Sequence, residues 1–106
     1  MYRFLNCTEL MPSTSQKSFY GKAKVETWIK DNKNFFILKS YGNPILVVYK
    51  DKLYRASDTW EGDFSSTTLK HCRSFVEQYI ANGVCHKKEF LALDTININD
   101  LLLDRI

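Results

Sequence analysis

Phe35-Phe36-Ile37-Leu38-Lys39-Ser40-Tyr41-Gly42-Asn43-Pro44-Ile45-Leu46-Val47-Val48-Tyr49-Lys50-Asp51-Lys52-Leu53-Tyr54-Arg55-Ala56-Ser57 is the stretch that decides the fold. It holds three apolar runs of strand length separated by two short clusters of turn residues. In the first run, Phe35 and Ile37 alternate with Phe36 and Leu38, the period of an extended chain, and Lys39 is expected to be exposed. Gly42-Asn43-Pro44 reads as a turn. Residues 45–49 are apolar on both faces, which predicts a strand in the middle of a sheet. Lys50-Asp51-Lys52 reverses the chain again, and residues 53–57 form the next strand. Reversals this short join antiparallel neighbours, because a parallel crossover needs a dozen or more residues.

Working back toward the N-terminus, Phe19, Gly21, Ala23, Val25 and Thr27 alternate with Tyr20, Lys22, Lys24 and Glu26. That predicts a half-buried strand, with Gly21 marking a bulge or the close approach of another backbone. Asp31-Asn32-Lys33-Asn34 is a turn by composition. Residues 11–17 are a polar loop containing Pro12, and residues 2–10 read equally as an edge strand or a helical turn.

Beyond the sheet, an acidic loop over 58–63 gives way to helical spacing. Leu69, Cys72, Phe75, Val76, Tyr79 and Ile80 recur on one side, with Lys70, Arg73, Ser74, Glu77 and Gln78 on the other. Ser65-Ser66-Thr67 supplies N-cap residues and Asn82-Gly83 a C-cap, so the helix is expected over 66–82. Burying its apolar stripe is worth on the order of 10 kcal/mol in gross transfer terms, enough to hold it on the sheet. Glu89 to Leu93 reads as a strand extending the sheet, and Asn97 or Asn99 caps a short helix through Leu101-Leu102-Leu103. The expected architecture is a single α+β domain over 1–106. It has an N-terminal segment and loop (1–16), a sheet (17–57), a main helix (66–82), and a C-terminal strand and short helix (84–106). The sheet is a four- to five-stranded antiparallel meander with one amphipathic helix packed on one face.

Composition bounds the function classes. The chain has 106 residues, 44% hydrophobic and 14% aromatic, with 4 Gly and 2 Pro, which suits one ordinary core and not a disordered tract. No apolar run approaches the length of a membrane span, and the first residues lack the apolar core of a signal peptide. Cys7, Cys72 and Cys85 are odd in number and show no scaffold spacing, which fits reduced thiols and a cytoplasmic location. Net charge is +3, unevenly spread: residues 17–55 carry nine Lys/Arg against three Asp/Glu, while 89–106 carry four acids against Arg105. Segregation of this kind fits a surface facing nucleic acid or a charged protein, and equally a solvated face.

The sharpest chemical constellation is His71-Cys72 with Cys85-His86, a zinc-type ligand set. Helical neighbours point about 100° apart, so His71 and Cys72 do not reach one ion from a regular helix. Cys72 also falls on the apolar stripe, where a buried thiol is ordinary core. No third group orients a Cys–His nucleophile. His71 sits one turn after Thr67 and Thr68, as a general base would, yet these hydroxyls cap the helix as well. A helix start with Thr67, Thr68 and His71 would favour an anion if Lys22 and Lys39 came near it. Asp58, Glu61 and Asp63 lack the register of a calcium loop. The sequence implies no cofactor and no resident metal. Lysines interleaved with aromatics over 17–33 fit stacking on bases and neutralising phosphates, and they fit ordinary sheet packing too.

Lys17-Ser18-Phe19-Tyr20-Gly21-Lys22-Ala23, then Leu38-Lys39-Ser40-Tyr41, then Ser66-Thr67-Thr68-Leu69-Lys70-His71 with Phe75, resemble a small domain of unknown function. That domain occurs in phages and mobile elements of Gram-positive bacteria. Order and approximate spacing match over residues 17–80; the chain departs from the pattern at Gly42, where an acidic or polar residue is more usual. The resemblance implies a genomic setting and the cytoplasm of a host cell, and no mechanism.

Three function classes follow. The first is a non-catalytic protein that binds a host protein, of which an inhibitor of a nucleic-acid-targeting defence nuclease, anti-CRISPR-like, is one case. The second is a nucleic-acid-binding module using a Lys/aromatic sheet face. The third, a small hydrolase-type enzyme around His71, has the least support in the residues. The expected partner-contacting residues are Tyr20, Lys22, Lys24, Lys39, Trp60, Lys70 and His71, with a CRISPR effector nuclease as the type of protein partner.

Overall fold

A computed structural model describes residues 1–12, 18–80 and 86–106. In chain order the elements are β1 (Arg3–Glu9), β2 (Ala23–Lys30), β3 (Lys33–Ser40), β4 (Asn43–Tyr49), β5 (Lys52–Ala56), α1 (Ser66–Tyr79), α2 (Lys87–Leu91), β6 (Thr95–Ile96) and α3 (Ile98–Leu102). The fold is α+β, with one mixed sheet in the order β1-β2-β3-β4-β5-β6.

The meander is tied by two-residue turns whose backbones enter the left-handed region. Tyr41 and Gly42 have φ of 52° and 81°, and Lys50 and Asp51 have 52° and 60°. Such turns match the twist of the strands they join. β4 lies between β3 and β5, as its two apolar faces require. Phe35 faces Tyr49 and Leu38 faces Leu46 across the β3–β4 ladder, which slips where Lys39 meets Pro44. A proline has no ladder donor and is tolerated at such a slip.

Four expectations are corrected. The sheet has six strands, not four to five, because residues 3–9 form an edge strand on β2 and Thr95–Ile96 pairs with β5 in parallel. Glu89 to Leu93 is not a strand. The free side of β5 is taken by β6 and its flanks, with Arg55 N–H donating to Asp94 O and Ser57 N–H to Ile96 O. The preceding residues coil into α2 so that Phe90 can bury against Phe64. The alternation from Phe19 does not begin a strand at Phe19: β2 starts at Ala23, and residues 19–22 form a turn closed by Lys22 N–H to Phe19 O at 3.0 Å. Gly21 therefore serves a positive φ of 74° in that turn and not a bulge within a strand. Finally, α1 ends at Tyr79; the Asn82-Gly83 cap, Cys85 and the loop residues 13–17 lie outside the described residues.

Each sheet face has its own core. Val25, Leu38, Leu46, Val48 and Leu53 lie under α1 and α2, against Cys72, Phe75, Val76 and Phe90. Phe35, Ile37, Val47 and Tyr49 lie on the other face, against Tyr2, Ile96 and Leu101. Leu101 is thus core, and Leu103 remains exposed. Asn97, one of the two predicted caps, accepts a hydrogen bond from Asp100 N–H at 3.0 Å and starts α3.

Candidate functional site

In an antiparallel meander the C-terminal ends of β1, β3 and β5 and the N-terminal ends of β2 and β4 share one end of the sheet. The turn at 19–22, the Tyr41-Gly42 turn and the loop at 57–63 all sit there, and so does the start of α1, whose Thr68 meets the last residue of β3.

Beneath this end is a buried polar cluster. Ser40 follows Phe36 and Leu38 on the face covered by α1, so its hydroxyl points at the helix. Ser40 Oγ lies 2.9 Å from Thr68 Oγ1 and 2.8 Å from His71 Nδ1. All three side chains are buried, His71 to 1% exposure. The Phe19 ring meets the imidazole edge-on at 4.5 Å and the Tyr41 ring covers it at 5.8 Å. Burial lowers the His71 pKa from its usual 6.5, because the cation would be desolvated with no carboxylate beside it to compensate. Ser65 caps α1 by accepting from Thr68 N–H at 3.2 Å, which leaves the Thr68 hydroxyl for Ser40. Cys72, next to His71, is fully buried and its thiol is pushed up to about 12 by burial, so it stays protonated and a poor nucleophile. Among the described residues no three His, Cys, Asp or Glu side chains gather as metal ligands.

Above this cluster the surface is aromatic. Tyr20, Trp60 and Tyr41 are 78%, 68% and 53% exposed. Tyr20-Gly21 and Tyr41-Gly42 repeat one conformation: both tyrosines have positive φ (54° and 52°) and both are followed by a left-handed glycine. A bulky residue is disfavoured there. The two turns are joined by Tyr41 N–H donating to Lys22 O at 2.8 Å, and Glu9 Oε1 accepts from Gly21 N–H at 3.0 Å. On the far side, Trp60 N–H donates to Asp63 Oδ2 at 2.9 Å, and Arg55 Nη1 donates to Thr59 O at 3.0 Å. The Trp60 ring lies over Gly62, where an added Cβ would come within 2.4 Å of it. This glycine lets the loop fold beneath the ring.

The expected contact residues divide. Tyr20, Lys22 and Trp60 are exposed at this end, and Lys70 is exposed on α1. Lys24 is exposed on β2 and faces Lys39 across the ladder. Lys39 is half-buried, not exposed, because its ammonium pairs with Glu26 at 2.7 Å. It lies on the sheet face opposite Leu38 and Ser40, so it does not approach the start of α1. The anion site expected from Thr67, Thr68 and His71 with Lys22 and Lys39 does not form in that arrangement: Lys39 is turned away, and Thr68 and His71 are interior. His71 is interior. Sequence reasoning passed over Ser40 and Tyr41. The signals were a hydroxyl at an inward position of an apolar strand, and the recurrence of Tyr-Gly at 20–21 and 41–42.

Over residues 8–92 the chain matches a family described as "Family of unknown function (DUF8033)", and it belongs to that family. The matched span runs from the end of β1 through α2 and includes the buried cluster and Tyr20, Tyr41 and Trp60. No curated protein and no solved structure matches the chain. No helix among the described residues is long and apolar enough to cross a membrane.

Proposed function

We propose that this chain is a non-catalytic accessory protein of a phage or mobile element that acts in the host cytoplasm by binding a protein. Its target on this reading is a nuclease that defends the host against foreign nucleic acid, as the target of an anti-CRISPR protein is. The observation that carries the binding reading is the contrast at one end of the sheet. The side chains with chemistry to offer, His71 and Cys72, are interior, while Tyr20, Tyr41 and Trp60 are turned outward. Tyr and Trp are the residues that most often anchor an interface, because each supplies a large contact area with few torsions to freeze. Two of the three also sit at a positive φ that is uncommon for a bulky residue.

The test is affinity capture of the tagged protein from its host, in parallel with a Trp60→Ala, Tyr20→Asn variant. Asn tolerates the left-handed turn and removes only the ring. A nuclease captured by the native chain, lost by the variant, and inhibited by the purified native chain in a cleavage assay supports the reading. Capture that is indifferent to the variant, or cleavage that proceeds unchanged, removes it.

A further inference from the structure

The aromatic end is electrically divided. Trp60 stands beside Asp58 and Asp63, whereas the tyrosine turns carry Lys22, whose carbonyl accepts from Tyr41 N–H, and meet α1 at His71, next to the exposed Lys70. The acid nearest the tyrosine turns, Glu9, has Oε1 occupied by Gly21 N–H and Ser18 Oγ. Glu26 is spent on Lys39 and on Trp28 Nε1–H, which it accepts at 3.1 Å. Neither Lys22 nor Lys70 is in an ion pair among the described residues.

We infer that the paired Tyr-Gly turns, with Lys22 and Lys70, form a binding site for single-stranded nucleic acid. The two turns are hydrogen-bonded to each other and each projects one solvent-exposed ring, so they offer two stacking platforms on a rigid base. Unpaired bases stack on such rings whatever their sequence, while lysine ammonium groups neutralise the phosphates between them. A duplex hides the faces of its bases and would meet the lysines alone. An acidic peptide would satisfy the charge but has no flat rings in a regular row to match the tyrosines. This inference extends the binding reading: a partner that handles nucleic acid would present a strand beside the surface that Trp60 contacts. It concerns the protein by itself, so it stands or falls separately from the identity of any protein target.

The experiment titrates the purified full chain into a fluorescein-labelled oligothymidine of about 12 nucleotides and follows anisotropy across a salt series. The same measurement is made with a duplex of equal length and with polyglutamate as competitor. The expected result is salt-sensitive binding with a log–log slope of about −1.4, the value for two phosphates on a single strand. Tyr20→Asn or Tyr41→Asn is expected to weaken binding about tenfold, whereas Tyr20→Phe and Tyr41→Phe, which keep the ring, stay near the native affinity. Circular dichroism of each variant checks that the fold is intact. Absence of binding overturns the inference. So does equal affinity for the duplex, displacement by polyglutamate at equal charge, or affinity indifferent to loss of both rings, since each reduces the site to unspecific attraction between charges.

Discussion

The two ends of the sheet are built from the same kinds of residue and use them in opposite ways. At the end where β2 turns into β3 and β4 into β5, Tyr2, Trp28, Phe35 and Tyr49 pack on one another, while Phe4 stays about half exposed. Tyr2 packs edge-on against Phe35 at 4.8 Å, Trp28 stacks parallel to Phe35, and Tyr49 completes the group. Tyr2 N–H donates to Leu102 O at 3.2 Å, and Asp104 receives both Lys30 and the Met1 amine. At the other end Tyr20, Tyr41 and Trp60 face solvent, and Lys22 and Lys70 are in no ion pair among the described residues. Stability resides in the first end and available surface in the second. The second can afford exposed rings because the cluster of Ser40, Thr68 and His71 ties its strands to α1 from beneath.

Four measurements would break or sharpen that contrast. Phe35→Ala is expected to cost about 3–5 kcal/mol in chemical denaturation, since it removes the ring on which Tyr2, Trp28 and Tyr49 converge and leaves a cavity. A loss under 1 kcal/mol would show that this end does not carry the stability assigned to it. Ser40→Ala orphans the Thr68 hydroxyl and His71 Nδ1 in a dry site and is expected to cost about 1–3 kcal/mol. If it proves neutral, the cluster does not fasten β3 to α1.

Stability should also fall on acidification, through His71. Its folded pKa is lowered below 6.5, so between the two values the unfolded chain binds a proton that the folded chain refuses. The contribution is fully present above the unfolded value and is lost as pH drops through that window, with a slope of at most about 1.4 kcal/mol per pH unit. A His71→Gln variant should flatten this part of the profile of melting temperature against pH; an unchanged profile would assign the effect elsewhere. The smallest effect is expected at the open end. Tyr20→Asn should shift unfolding by no more than about 0.5 kcal/mol in either direction, because an exposed ring is lost and a strained turn is relieved. The Tyr41 ring also covers His71, so Tyr41→Asn should cost no more than about 1 kcal/mol. A large destabilisation would mean that these rings belong to the fold and are not free surface.

How much could be read from residues alone differed from element to element. The hairpins from β2 to β5 and the apolar face of α1 were legible because alternation and helical spacing register directly which side of an element is buried. The Ser65 cap and the Asn97 cap were legible because capping is decided within four residues. β6 was not: two residues pair with β5 only because Leu93 and Asp94 deliver them there, and nothing in Thr95-Ile96 announces it. Glu89 to Leu93 read as a strand since short apolar runs do not distinguish strand from helix, and the choice lay in whether the β5 edge was already taken. Phe19 to Lys22 continued the alternation of β2 by coincidence, and the left-handed Tyr20-Gly21 pair ended the strand where period alone would have extended it.

The candidate site shows the same division. By itself the sequence determined an α+β chain with an antiparallel meander, a covering helix and segregated charge, because each of these depends on neighbours along the chain. Only the tertiary structure decided that His71 is an interior partner of Ser40, a residue 31 positions away. It also decided that Lys39 turns from the helix to Glu26, and that Tyr20, Tyr41 and Trp60 crown one end of the sheet. The physical reason is that side-chain burial and pairing are set by which strands become neighbours. Cross-strand register brings together residues whose separation along the chain carries no signal of their contact.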